Sequence, residues 1–134
     1  MKKIVLALGA VLATAAPAAA LPAATTTPPP VADAHVRLTV TRAVGPARNA
    51  SVWLDCPTPG AAPHPSREAA CADLAAADGD FDRLPGRGTA YCSNDSSLVI
   101  VTADGTYAGR EVHWRHVYAD DCALALATGT VFDF

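Results

Sequence analysis

The chain has 134 residues, 51% of them hydrophobic, and a formal net charge of −3 at pH 7. Its two lysines, Lys2 and Lys3, stand at the N-terminus, and beyond them eight arginines face thirteen acids. That acidic balance argues against nucleic acid as a partner, because such binding rests on clustered basic charge.

Lys2 and Lys3 make a positive start, Ile4 to Ala16 supply an apolar run, and Ala18-Ala19-Ala20 offers the small residues that a signal peptidase accepts. Residues 1–20 therefore read as a signal peptide and the product as secreted, with cleavage expected near Ala20-Leu21 or, as a second choice, Ala24-Thr25. A membrane anchor fits less well. The run is interrupted by Gly9, Thr14 and Pro17, is shorter than the roughly 20 apolar residues of a span, and has no stop-transfer pattern after it. No membrane association is expected after cleavage. Residues 21–34, LPAATTTPPPVADA, read as a flexible, solvated tail, since consecutive prolines join neither sheet nor helix.

Residues 35–134 form one domain, small enough that its core alone confers marginal stability. His35 to Thr41 alternates apolar and polar residues, as does Ala50 to Leu54 less cleanly, and Gly45-Pro46 between them marks the turn of a hairpin. Ser66 is placed to cap a helix through Arg67 to Ala75, with Glu68 in its first turn and Gly79 at its end. Asp78-Gly79-Asp80-Phe81-Asp82 alternates acids but lacks the rest of a calcium loop and its distal glutamate, and reads as a solvated turn. Leu98 to Thr102 is a β-branched run that Asp104-Gly105 is expected to turn into a second long strand, Tyr107 to Tyr118. A helical turn around Asp120 to Ala125 and a last strand, Thr130 to Phe134, complete an α+β domain with an antiparallel sheet.

Four cysteines, Cys56, Cys71, Cys92 and Cys122, are spread over this domain. Zinc is disfavoured because no Cys-x-x-Cys or Cys-x-x-His pair exists. An even count in a secreted chain points to two disulfides, for which the sequence leaves three connectivities open. Ser93 to Ser97 runs directly out of Cys92, a polar segment pinned at its root and suited to being gripped. The chain reads as a non-enzyme without a cofactor, since it has no Gly-x-Ser-x-Gly, no His-Glu-x-x-His and no phosphate loop. His113 and His116 stand three apart in a strand and point to opposite faces, which disfavours a shared metal. Trp53 and Trp114 read as core or dimer-interface residues. The sequons at Asn49 and Asn94 are short enough to arise by chance.

These residues resemble the Streptomyces subtilisin inhibitors and their relatives. The features that carry the likeness are the cysteine separations of 15, 21 and 30 residues, Cys71 to Ala76 reading CADLAA, and Leu98 to Gly105 reading LVIVTADG. The strings Arg110-Glu111-Val112 and His116-Val117-Tyr118 and the ending Val131 to Phe134 also match. The resemblance implies a five-stranded antiparallel sheet with two helices, bridges Cys56–Cys71 and Cys92–Cys122, and a homodimer formed through the sheets. It also implies a loop that enters the cleft of an extracellular subtilisin-like serine protease as a substrate would.

Carried over by position, the scissile bond lies between Asn94 and Asp95. Asn94 enters the main specificity pocket, Ser93 and Cys92 precede it, Tyr91 packs further upstream, and Ser96 and Ser97 complete the leaving side. Family members typically have a hydrophobic or basic residue at Asn94, proline or threonine at Ser93, and Tyr-Asp-Pro at Ser96, Ser97 and Leu98. A small amide in a large apolar pocket loses about 1 to 3 kcal/mol of burial relative to Met or Leu. The expectation is therefore weakened inhibition or a changed target. The alternative is a non-inhibitory scaffold, serving as a partner of another protease or as a crosslinking substrate.

Overall fold

The computed structural model describes residues 31–43, 46, 48–88, 91–92 and 97–134. The expected signal peptide and most of the expected tail lie outside the described residues. Strands β1 (Ala34–Arg42), β2 (Arg48–Cys56), β3 (Val99–Tyr107) and β4 (Arg110–Tyr118) form an antiparallel sheet in the order β2-β1-β3-β4. Helix α1 (Arg67–Ala76) follows β2, and α2 (Asp121–Thr128) follows β4.

Alternation decides which face is core. In β1, Ala34, Val36, Leu38 and Val40 are buried while His35 and Arg37 are exposed. In β3 the buried set is Val99, Val101, Ala103 and Tyr107. One sheet face thus meets the helices, with Leu74 of α1 and Leu124 of α2 in the same core. Full burial of a side chain such as Leu74 stabilises by about 2 kcal/mol. The opposite face, which carries His35, Trp53 and Val117, is covered by no described element.

The two disulfides are Cys56–Cys71, joining β2 to α1, and Cys92–Cys122. They follow the pairing that the resemblance implies. In the chain-entropy account, closing loops of 15 and 30 residues contributes about 3 to 4 kcal/mol each.

Four expectations need correction. The described residues hold four strands, not five, because Thr130 to Phe134 folds into turns. The Val131 and Asp133 N–H groups donate to Thr128 O and Thr130 O, so local bonds consume the donors that a ladder needs. Asp73 of α1 holds this segment by accepting from Thr130 N at 3.1 Å and Thr130 Oγ1 at 2.6 Å. Val131 and Phe132 are buried all the same, which accounts for the apolar pattern read as a strand.

Asp104-Gly105 is not a turn either. β3 runs straight through it, and Gly105 is required because a Cβ there would stand 2.1 Å from His35 O on β1. The hairpin turn is Ala108-Gly109, whose φ values of 48° and 75° are both positive, as tight two-residue hairpins need.

Ser66 stands at the N-cap of α1 but its side chain makes no capping bond. Its backbone N–H donates instead to His64 Nδ1 at 3.0 Å. The helix does end as the sequence suggests. Asp78 N–H donates to Ala75 O and Gly79 N–H to Leu74 O, a Schellman closure with Asp78 at φ 51° and Gly79 at φ 75°.

Finally, the turn around Asp120 extends into the eight-residue helix α2. Asp120 is its cap, accepting from Ala123 N–H at 2.7 Å.

Candidate protease-binding segment

The residues on either side of the polar segment after Cys92 are held by different elements. Upstream, Leu84 is buried, and Pro85-Gly86 lies so close to α2 that a Cβ on Gly86 would stand 1.6 Å from Leu126 O. Arg87 pairs with Asp133 in the C-terminal turn. Cys92, half-buried, is bridged to Cys122 in the first turn of α2, with Cα atoms 5.7 Å apart. The Asp120 carboxylate lies within 4.8 Å of both sulfurs. Those sulfurs are bonded to each other, so the cluster is a braced helix start and not a metal site. Downstream, Leu98 O accepts from Ala43 N–H at 3.1 Å, just past the end of β1.

Of the predicted site residues, Tyr91 is fully exposed at 105% of its reference area, while Cys92 and Ser97 are half-buried. Ser93, Asn94, Asp95 and Ser96 lie outside the described residues. Two residues that the sequence reading did not connect also meet here. Arg42 Nε donates to both carboxylate oxygens of Asp121, at 2.8 and 3.0 Å. They stand 79 positions apart, and no short-range pattern announces such a pair.

The other singled-out residues serve the scaffold. Trp114 stacks on Phe81 on the core side and donates from Nε1 to Asp82 at 2.9 Å. Trp53 faces the uncovered side, stacked on His35 at 4.3 Å. His113 pairs with Asp104 on that same side, whereas His116 lies between Trp114 and Tyr118 on the other. Asp80 caps the short turn Phe81–Arg83 through Asp82 N–H, so the alternating acids close structure at the end of α1.

Titrations move where burial demands it. Tyr118, opposite Val99 at the downstream root, is pushed above its ordinary value by burial and further by Asp82. Tyr107 rises by burial and the charge of Asp78, opposed by Arg110 over its ring. His64 is pushed down by burial.

The described residues form a small two-disulfide α+β domain in which the residues flanking the polar segment are held from both sides. The subtilisin inhibitor-like family profile matches residues 32–120. The chain belongs to that family.

Among relatives, plasminostreptin of Streptomyces antifibrinolyticus is 37% identical over 91 residues, covering 68% of this chain and 82% of its own. Subtilisin inhibitor-like protein 5 of Streptomyces fradiae is 40% identical over 85 residues, covering 63% and 78%. Among solved structures, Streptomyces caespitosus sermetstatin, crystallised in complex with Bacillus licheniformis subtilisin, is similar with a TM-score of 0.58 and 28% identity. That match covers 75% of this chain and 97% of sermetstatin.

Proposed function

We propose that the protein is a secreted, non-enzymatic inhibitor of subtilisin-like serine endopeptidases, with Asn94-Asp95 as its scissile bond. The observation that carries this reading is the Cys92–Cys122 bridge, which fastens the root of the polar segment to α2. Asn94 takes the primary pocket, Ser93 and Cys92 lie before it, Tyr91 further upstream, and Asp95, Ser96 and Ser97 after the bond.

Asn94-Asp95 lies inside the covalent ring that the bridge closes. Cutting it leaves both new ends on one molecule, so the freed amine stays beside the acyl group and the bond can re-form. A preorganised segment also loses less entropy on binding than a free peptide does.

Secretion is supported by the signal-peptide pattern of residues 1–20, and no helix among the described residues is long and apolar enough to cross a membrane. A homodimer through the sheets is supported by the uncovered face bearing Trp53 and Val117, the latter 44% exposed.

The amide of Asn94 and the absence of proline around it support weak inhibition of subtilisin itself or a retargeted pocket. Crosslinking through a glutamine–lysine bond is disfavoured, because the chain has no glutamine and its lysines lie within residues 1–20. Titration of the mature protein and of Asn94→Met against subtilisin tests the reading. Inhibition that appears or sharpens in the variant, with a cut mapped to residue 94, supports it. No gain with any serine protease would overturn it, and tight stoichiometric inhibition by the unmodified protein would overturn the weakening.

A further inference from the structure

We propose that Arg42 is a positioning residue for the segment between Cys92 and Leu98, coupling its two ends through the first turn of α2. The inference rests on the reading of that segment as protease-facing. The upstream end is fastened to α2 by Cys92–Cys122, and the downstream end to the chain just past β1 by Ala43 N–H to Leu98 O. The separation of the ends therefore depends on where α2 sits relative to the end of β1.

Among the described residues, the side-chain hydrogen bonds joining those two elements are those from Arg42 Nε to Asp121. Arg42 is the neighbour of Ala43, and Asp121 the neighbour of Cys122. The contacts thus close a ring, running from Cys92 to Cys122, Asp121, Arg42, Ala43 and Leu98. Beside the pair lies a cavity of about 180 Å³, lined also by Leu124, Phe132 and Phe134. Leu124 packs α2 into the shared core, and at this open edge the ion pair adds a directional link between α2 and the end of β1.

Side chains 33% and 53% exposed form a pair that contributes little to global stability. Its removal therefore leaves the fold intact while freeing α2, and the bridge it carries, to shift against β1. The directional planar guanidinium also makes lysine an imperfect substitute.

The test uses the mature protein with Arg42→Ala, Arg42→Lys, Asp121→Asn and the Arg42→Ala/Asp121→Asn double variant. Hydrogen exchange of the peptide spanning residues 91–98 is read in the free protein. Inhibition and loop cleavage by subtilisin are read in the Asn94→Met background. Arg42→Ala is expected to speed exchange and weaken inhibition by about threefold to fivefold, a factor within reach of a partly exposed pair. The melting temperature stays nearly constant, Arg42→Lys recovers part of the loss, and the double variant is no worse than Arg42→Ala. Unchanged exchange in Arg42→Ala, or additive effects in the double variant, would overturn the proposal whatever the inhibition. Faster exchange with no inhibition by the parent would instead sink the protease reading and leave the positioning of the segment standing.

Discussion

His64 Nε2–H donates to Val131 O at 3.0 Å, while its Nδ1 accepts from Ser66 N–H at 3.0 Å, so one buried imidazole joins the segment before α1 to the C-terminal turn. Both bonds need the neutral ring with its proton on Nε2. Burial disfavours the charged form and pushes the titration below the ordinary 6.5. The unfolded chain thus takes up this proton at a higher pH than the folded one. The stabilisation is complete above about 6.5 and is lost as pH falls from there towards the lowered native value. The difference in unfolding free energy between the protein and His64→Gln, followed by denaturant titration from pH 8 to pH 4, should shrink over that window. A constant difference would contradict it.

His64→Ala should destabilise by about 2 to 4 kcal/mol, combining a cavity beside Phe134 with the stranded Ser66 N–H and Val131 O. Denaturant unfolding measures this directly.

The two disulfides should separate stability from inhibition. Cys56→Ser/Cys71→Ser and Cys92→Ser/Cys122→Ser should each cost about 3 to 4 kcal/mol of stability. Only the second frees the root of the polar segment and opens the ring around Asn94-Asp95. It should turn an inhibitor into a substrate, with cleavage at residue 94 running to completion in a mass-spectrometric time course.

Gly86→Ala should cost about 1 to 3 kcal/mol, because its Cβ would overlap the Leu126 carbonyl on α2. Since Pro85-Gly86 leads into the upstream arm, inhibition should weaken with it. Equal inhibition by the variant and its parent would show that this contact does not position the arm.

Two glycines of the β3–β4 hairpin should respond differently. Gly109 has positive φ with open space around it, so Gly109→Ala should cost about 1 kcal/mol from backbone strain. Gly105 faces the β1 backbone, where Val36 Cα would lie 2.9 Å from an added Cβ, and Gly105→Ala should cost clearly more by thermal denaturation. A reversal of that order would place the turn at Asp104-Gly105 after all.

Much of the fold is legible locally. Alternation in β1 and β3, the helix from Arg67 and its end at Gly79 follow from periodicity and from backbone freedom at glycine. The failures have separate causes. Asp104-Gly105 has the composition of a turn, but its glycine serves an approach between strands distant in sequence. Thr130 to Phe134 has the apolar content of a strand, but its donors are used within its own turns. Ser66 looks like a cap, but its hydroxyl makes no capping bond.

The site divides in the same way. Cys92 and the polar run after it stand out in the sequence, and family resemblance supplied the bridge partner. Arg42 and Asp121 could not be paired in advance, because a strand-end arginine and a helix-start aspartate carry no mark of one another.

By itself the sequence determined an acidic, two-disulfide α+β domain with a polar segment rooted at a cysteine, since those properties reside in composition, spacing and short-range periodicity. Only the tertiary structure decided that the segment's two ends are held by different elements, α2 and the end of β1, joined by Arg42 and Asp121. Contacts of that kind depend on which surfaces folding brings together, and a separation of 79 positions leaves no local trace of the choice.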